Sequence, residues 1–446
     1  MQRSARGGGD GGGERVIRLV PRYTPGAGFD LLGLLVRSRP GSLTPVDLVN
    51  EYLKLGLRFD RLVAGYVDAY IGDPALRQEV ENEPTPDPAH LAIQAAVLSR
   101  EIPNAGLTPE REAYIKAHID ALAVGGRRLA GDEMTLVDEV RAYFQVEIAP
   151  VPTEVYEQAH REISDLLGGA GSLADRLAAV RESEVCPPER VEAAVQTMAA
   201  ALRERVAAAV GLPGNEHIDF EIERDVPWSG FNYYEGDFRS RVAVNADQNQ
   251  RMSTLAVLVA HECYPGHHTE HCRKEDLLLQ QGGQAEQSIF LVNTPQCLMA
   301  EGLGDLALAA VVGPGWGRWA AEVLADAGPS FDPDLVEALE IASRPLNTVR
   351  QNASIMLHDQ KVDVDEVLAY LQRWGMVDEA RARQMVRFQS DPLWRAYTST
   401  YVEGERLIRP WLESRPEGLT AMQRFQRLLD EPLTPAMITS ELSAAV

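Results

Sequence analysis

Four of the nine histidines in this 446-residue chain, His261, His267, His268 and His271, fall within eleven residues, and Glu262 stands among them. Imidazoles and carboxylates are the side chains that bind zinc and move protons near neutral pH, so such a cluster is a candidate metal centre. It closes an apolar run, Leu255 to Ala260, that reads as a helix packed inside the protein. Ionisable groups at the end of so apolar a helix must be hydrogen-bonded, paired or metal-bound, because an unpartnered buried charge is costly. The competing reading, histidines solvated around a helix terminus, would be the better one for a single histidine.

In the zinc motif His-Glu-x-x-His, a spacing of four puts both imidazoles on one helical face and aims the Glu at the water to be activated. Here the position of that second histidine is Pro265. His267 follows His261 by six residues and on a straight helix would point about 240° away. His268 shares the face of His261 to within about 20° but lies about 10.5 Å along the axis. Pro265-Gly266 is a strong helix interruption that would swing His267 back. His267 is therefore the preferred second ligand and His268 the reserve. Cys263 and Cys272 flank the cluster as conceivable thiolate ligands, although buried reduced thiols are the commoner case.

A catalytic zinc keeps a third protein ligand and leaves a fourth position to water. The apolar segment Thr294 to Val312 carries only two charged residues, Glu301 and Asp305, one turn apart on one face. Glu301 is the leading third ligand; a charge on the helix surface is the alternative.

The stretches HECYPGHH and MAEGLGD resemble the bacterial "domain of unknown function 885" family, whose members carry His-Glu-x-x-Pro-Gly-His and a downstream Glu-Gly. The likeness runs from NYYEGDFRSRVAVN to about Arg409, through LHDQKVDVDEVLAYL and TYVEGERLI, and covers roughly the C-terminal half. That family looks like a branch of the gluzincin-type metallopeptidases. The resemblance implies one zinc ion held by His261, His267 and Glu301, with Glu262 as general base. It also points to His358 and Tyr401 as donors to a developing oxyanion. Two departures, Thr269-Glu270 after the second histidine and Gly302-Leu303-Gly304 in place of Gly-Trp-Ala, weaken any claim of shared specificity.

The elements that must position these groups are mostly helical. Thr44-Pro45, Thr108-Pro109 and Thr434-Pro435 each pair a cap with proline at the first helical position. After the first of them, Leu48, Tyr52, Leu55, Phe59, Leu62, Tyr66 and Tyr70 step by three or four, the stripe of a helix packed on one face. Further helices are expected over roughly 85–145, 153–183 and 187–211, and again after Ser253. The one β region is about 217–247, where apolar and polar residues alternate. Within it Arg239 and Arg241 share a face and would meet a substrate carboxylate, and an edge strand near 237–246 would hold an extended peptide by backbone pairing. A charge-decorated outer face is the equal alternative for the arginines.

The expectation is thus a mostly α fold: a large helical, two-lobed, metallopeptidase-like architecture with a small antiparallel sheet beside the active-site helix. Residues 1–15 read as a flexible Gly-rich tail, 16–185 as an N-terminal helical lobe and 186–446 as the metal-binding catalytic lobe. A net charge of -23 opposes binding to nucleic acid or anionic lipid. No run of eighteen apolar residues spans a bilayer, and no apolar stretch follows the basic start, so cytoplasmic residence is expected. The function expected is zinc-dependent hydrolysis of a peptide or small amide. A metal-dependent hydrolase or lyase of non-peptide substrates and a binding protein with a relic site are the rivals.

Overall fold

Threonine followed by proline starts helices where the sequence places them. Thr44 Oγ1 accepts from the Asp47 amide at 3.2 Å, Thr108 Oγ1 from Arg111 at 3.5 Å, and Thr434 Oγ1 from Met437 at 3.4 Å. Each satisfies one of the orphan donors of a first turn. The structure is a computed structural model that describes residues 43–224, 229–246 and 250–444. The expected tail over 1–15, and the first residues of the expected N-terminal lobe up to 42, lie outside the described residues.

The chain runs through α1 (Pro45–Leu62), β1 (Val67–Tyr70), α2 (Pro74–Glu81), α3 (Pro88–Glu101), α4 (Pro109–Leu129), α5 (Leu136–Phe144), α6 (Thr153–Leu167), α7 (Leu173–Ser183) and α8 (Val191–Ala209). Three strands follow, β2 (His217–Glu223), β3 (Gly230–Gly236) and β4 (Arg239–Asn245). Helices α9 (Met252–Glu262) and α10 (His267–Lys274) carry the histidine cluster, and β5 (Ile289–Leu291) leads into α11 (Pro295–Val311). The remainder is α12 (Trp316–Val323), α13 (Pro333–Ser343), α14 (Thr348–His358), α15 (Val364–Gly375), α16 (Glu379–Ser390), α17 (Thr398–Glu413), α18 (Ala421–Asp430) and α19 (Pro435–Ala444). The protein is mostly helical with little sheet, as its sequence implies.

Leu48, Tyr52, Leu55 and Phe59 form the buried stripe of α1, each worth about 1.5–3 kcal/mol of burial. The helix does not continue to Tyr70. It stops at Leu62, where the Asp60 carboxylate accepts from the amides of Gly65 and Val67, both at 3.1 Å. Gly65 turns the chain at φ 87°. Residues 67–70 then pair antiparallel with 289–291 as a two-stranded sheet, a partner that the helical spacing of Tyr66 and Tyr70 does not reveal.

The larger sheet has the order β2-β4-β3. β3 and β4 form the expected antiparallel pair, and β2 joins β4 in parallel. β4 is therefore central, with both edges occupied, and the expected peptide-holding edge strand near 237–246 is not there; among the described residues the edge strands are β2 and β3.

The larger apolar core runs from Leu48 to Ile438, and a second cluster gathers Tyr156, Val349, Val367, Leu371 and Trp374. The described residues from Leu43 onward make one compact unit, and the 185/186 boundary falls inside it. Polar ties join its early and late segments: Arg111 reaches Glu286 with two bonds of 2.6 and 2.7 Å, and the Asp359 carboxylate accepts from the first amides of α5 at 2.6 and 3.3 Å. Among the described residues no single helix is long and apolar enough to cross a membrane. The apolar helix α11 is instead core: all its residues but a few are buried. There α17 crosses it closely, because a Cβ on Gly302 would lie 2.5 Å from the Gly404 carbonyl carbon.

Candidate metal centre

The histidine cluster is shaped by the break that Pro265-Gly266 imposes. Helix α9 ends at Glu262, and the Gly266 amide turns back to donate to the Ala260 carbonyl at 2.9 Å. A side chain at 266 is excluded, since its Cβ would sit 1.9 Å from the His261 carbonyl oxygen. Helix α10 then starts at His267. The rings of His261 and His267 meet at 4.6 Å between centroids and 86° between planes, rather than about 240° apart on one straight helix.

His268 faces the opposite way. Fully buried, its Nδ1 lies 2.8 Å from Ser240 Oγ and its Nε2 2.9 Å from Glu216 Oε2. Tyr264 and Arg203 also donate to the Glu216 carboxylate. Burial raises that carboxyl's pKa, but the three donors outweigh it and bring it down to about 2. His268 thus belongs to a buried hydrogen-bond network around the Glu216 carboxylate that ties α10 to the sheet. The four cysteines are free and buried, and burial pushes the Cys263 thiol well up.

The third member arrives on α11. Glu301 Oε2 lies 3.3 Å from His261 Nε2, Glu301 Oε1 lies 4.0 Å from His267 Nε2, and the three ligand atoms stand within 4.8 Å of one another. Donors bound tetrahedrally at about 2.0–2.2 Å from one ion are about 3.4 Å apart, the scale of these separations. Glu301 Oε2 is buried and makes no hydrogen bond among the described residues, so it is an orphaned anionic acceptor aimed at the histidines. Its other oxygen accepts from Tyr397 Oη at 2.6 Å. Gly304, a turn later, lets the His261 ring lie flat on the helix: a Cβ there would come within 2.6 Å of the ring's Cε1. The sequence's Gly-Leu-Gly, where the resembling family has Gly-Trp-Ala, thus serves this contact. Asp305 Oδ1 stands 3.2 Å from His261 Nδ1 and sets the ring so that Nε2 faces Glu301.

The electrostatics follow from burial of these groups among several acids. Burial lowers the His261 pKa, but Asp305, Glu301 and Glu262 outweigh it and the net direction is well up. For His267, burial and the charge of His261 act together and take it down to about 3. Glu262 is buried beside them; desolvation, with Glu301, Asp68 and Asp305 reinforcing it, lifts its carboxyl to about 7 against the pull of His261. Asp68, from β1, is raised to about 7 by desolvation and Glu301. Two imidazoles and one carboxylate converge inside this ring of acids. The donor set and the orphaned oxygen fit a borderline divalent ion such as zinc.

These groups open onto a cleft of about 1640 Å³. The β3 residues Gly230, Phe231, Asn232 and Tyr233 line one side, and Tyr401 and Arg350 another. The Asn232 amide donates to the Glu262 carbonyl at 2.7 Å and locks strand to helix. Tyr401 faces the cleft with its ring 5.6 Å from that of Tyr397, and burial with the charge of Glu301 pushes its hydroxyl pKa well up.

Three expected site residues are not brought here. His358 does not line the cleft; its Nε2 bonds the Gln389 carbonyl at 2.7 Å and fastens α14 to the end of α16. Arg239 and Arg241 sit on the outer face of β4, paired with Asp219 at 2.8 Å and Glu221 at 2.9 Å on the neighbouring β2. Parallel registry of β2 with β4 places each acid directly beside an arginine, which makes this the charged-surface alternative. Sequence reasoning missed Asp68, Asn232, Arg350 and Tyr397. Only Tyr397 carried a signal, its spacing of four from Tyr401; Asp68 lies on a strand far upstream.

Fold and site thus define a mostly helical protein with a His-His-Glu cluster and a buried glutamate beside it. No family model matches the chain, and no curated protein matches it. Among solved structures it is similar to one described as a "putative lipoprotein" from Colwellia psychrerythraea, with TM-score 0.49 and 13% identity over 93% of this chain and 78% of that one. It is also similar to a "putative lipoprotein of unknown function" from Shewanella oneidensis, with TM-score 0.46 and 12% identity over 82% and 76% of the two chains.

Proposed function

We propose that this chain is a zinc-dependent hydrolase of metallopeptidase type that cleaves peptide bonds in the cleft. The observation that carries the reading is the convergence of His261, His267 and Glu301 within 4.8 Å, with Glu262 next in sequence and buried beside them. Zinc held by those three residues would supply Lewis-acid polarisation of a carbonyl and a lowered pKa for water. Glu262 accepts the attacking water's proton and returns it to the leaving amine. Tyr401, across the cleft, donates to the developing oxyanion. Asp305 and Tyr397 hold His261 and Glu301 in place.

An extended peptide suits the cleft better than a small amide. Its volume of about 1640 Å³ exceeds the ~300–1,000 Å³ common for small-molecule sites. The free edge of β3 lies along it, and an edge strand grips peptides of varied sequence through their backbone. Membership of the "domain of unknown function 885" family is part of the same proposal and rests on the motif residues. Cytoplasmic residence is proposed as well, supported by four unpaired thiols; cell fractionation tests it.

The test is metal analysis of protein purified without chelator, followed by a peptide-mixture digest. About one zinc per chain with cleavage that Glu262→Gln abolishes supports the proposal. Failure to bind any divalent ion under any loading condition overturns it.

A further inference from the structure

Acidic residues outnumber basic ones 66 to 43 in this chain, and interior arginines such as Arg111 and Arg395 are paired with acids, Glu286 and Glu139. Arg350 is not. It projects from α14 into the cleft, its guanidinium carbon 4.9 Å above the centroid of the Tyr401 ring. Its Nε is buried without a hydrogen-bond partner, and among the described residues no carboxylate forms an ion pair with it. Arg381, from α16, lines the same wall and also lacks an ion pair there. Its pKa is lowered by burial first and by the charge of Arg350 second, so the two guanidiniums are near enough to repel. Like charges held together in a partly desolvated wall are destabilising unless an anion bridges them.

We infer that Arg350, assisted by Arg381, binds a carboxylate of the substrate next to the reacting end of the cleft, so that the preferred peptides are anionic there. Arg350 and the candidate metal ligands meet around one tyrosine: the Tyr401 ring carries the Arg350 guanidinium on its face, and Glu301 and Glu262 act on its hydroxyl. A planar guanidinium with an unused Nε–H presents the forked donor that fits a carboxylate. The acids Asp68, Glu262 and Glu301 would repel such a substrate from the rest of the site, and the arginines fix its direction in the cleft. The carboxylate has two sources in a peptide, the free C-terminus and an acidic side chain.

The inference deepens the proposed function, but its test reads binding separately from cleavage. Calorimetry with the Glu262→Gln protein, zinc-loaded and chelator-treated, compares three acetylated tetrapeptides: Gly-Gly-Ala-Ala with a free carboxylate, the same peptide amidated, and amidated Gly-Gly-Ala-Glu. We expect at least one acid peptide to bind about ten- to a hundredfold tighter than the neutral amide, and the stronger of the two identifies the source. Arg350→Gln should erase the difference, Arg350→Lys restore part of it, and Arg381→Gln reduce it. Arg318→Gln, at a surface pair with Asp334, controls for loss of one charge. Equal affinity for all three peptides, or an acid preference that survives Arg350→Gln in a folded protein, overturns the inference. Retained acid preference in the Glu262→Gln protein, with no cleavage by the parent protein under any metal, would instead remove only the peptidase reading.

Discussion

Asp305 holds its Oδ1 3.2 Å from Nδ1 of His261, so the ring turns its other nitrogen to Glu301, one helical turn before Asp305 on the same helix. One short stretch of α11 therefore supplies a candidate ligand and the group that orients another.

Asp305→Ala should weaken zinc binding by about 10- to 100-fold without abolishing it, because the three donors remain while one loses its orientation. Competition against a zinc indicator reads the change. Unaltered affinity would show that the carboxylate does not orient the ring.

The two adjacent histidines should separate cleanly. His267→Ala loses zinc. His268→Ala keeps it but strips Glu216 of a partner in a buried network, at a cost of about 2–4 kcal/mol in urea unfolding. Zinc stoichiometry of the two purified variants decides; a metal-free His268→Ala protein would reverse the ligand assignment.

The close approach of α11 and α17 predicts an effect at a distance from the chemistry. Gly302→Ala puts a methyl group against the Gly404 backbone and should destabilise the fold by about 1–3 kcal/mol. It should also pull Tyr397 from Glu301 and lower zinc affinity. A variant as stable as the parent would mean that the crossing yields without strain.

Stability should fall on acidification through His118. This side chain on α4 is fully buried, its Nδ1 donates to the Tyr114 carbonyl at 2.8 Å, and desolvation takes its pKa from 6.5 to about 4. Below pH 6.5 the unfolded chain gains a proton that the folded chain does not take up until about pH 4. The group thus destabilises the fold progressively as pH falls through that window, by an amount on the order of 3 kcal/mol at its lower end. Urea unfolding at pH 7 and pH 5 should show a loss that is smaller in His118→Leu. An identical pH slope in the variant would exclude His118 as the cause.

His358 and Tyr401 part company in the same way. His358→Ala should cost about 1 kcal/mol of stability through the lost bond to the Gln389 carbonyl and leave peptide turnover within a fewfold of the parent. Tyr401→Phe should lower kcat by about 10²-fold with little change in KM, as for an oxyanion donor. Steady-state kinetics of the pair provide the check.

Sequence alone determined the features that a few neighbouring residues control. Thr-Pro pairs start helices because a cap and a fixed φ are local properties. The stripe of α1 is buried because its period is helical. Pro265-Gly266 breaks α9 because proline cannot donate and only glycine fits against the His261 carbonyl. That break is why spacing could favour His267 at all, yet which histidine faced Glu301 and which faced Glu216 depended on what packed on either side of α10. Tertiary structure decided the rest. Residues 67–70 became a strand because 289–291 offered a backbone partner. Arg239 and Arg241 faced β2 because its parallel pairing set Asp219 and Glu221 beside them. Asp68, Arg350 and Tyr397 reached the centre from three separate elements, since a site assembled by packing unites residues whose separation along the chain carries no trace of their contact.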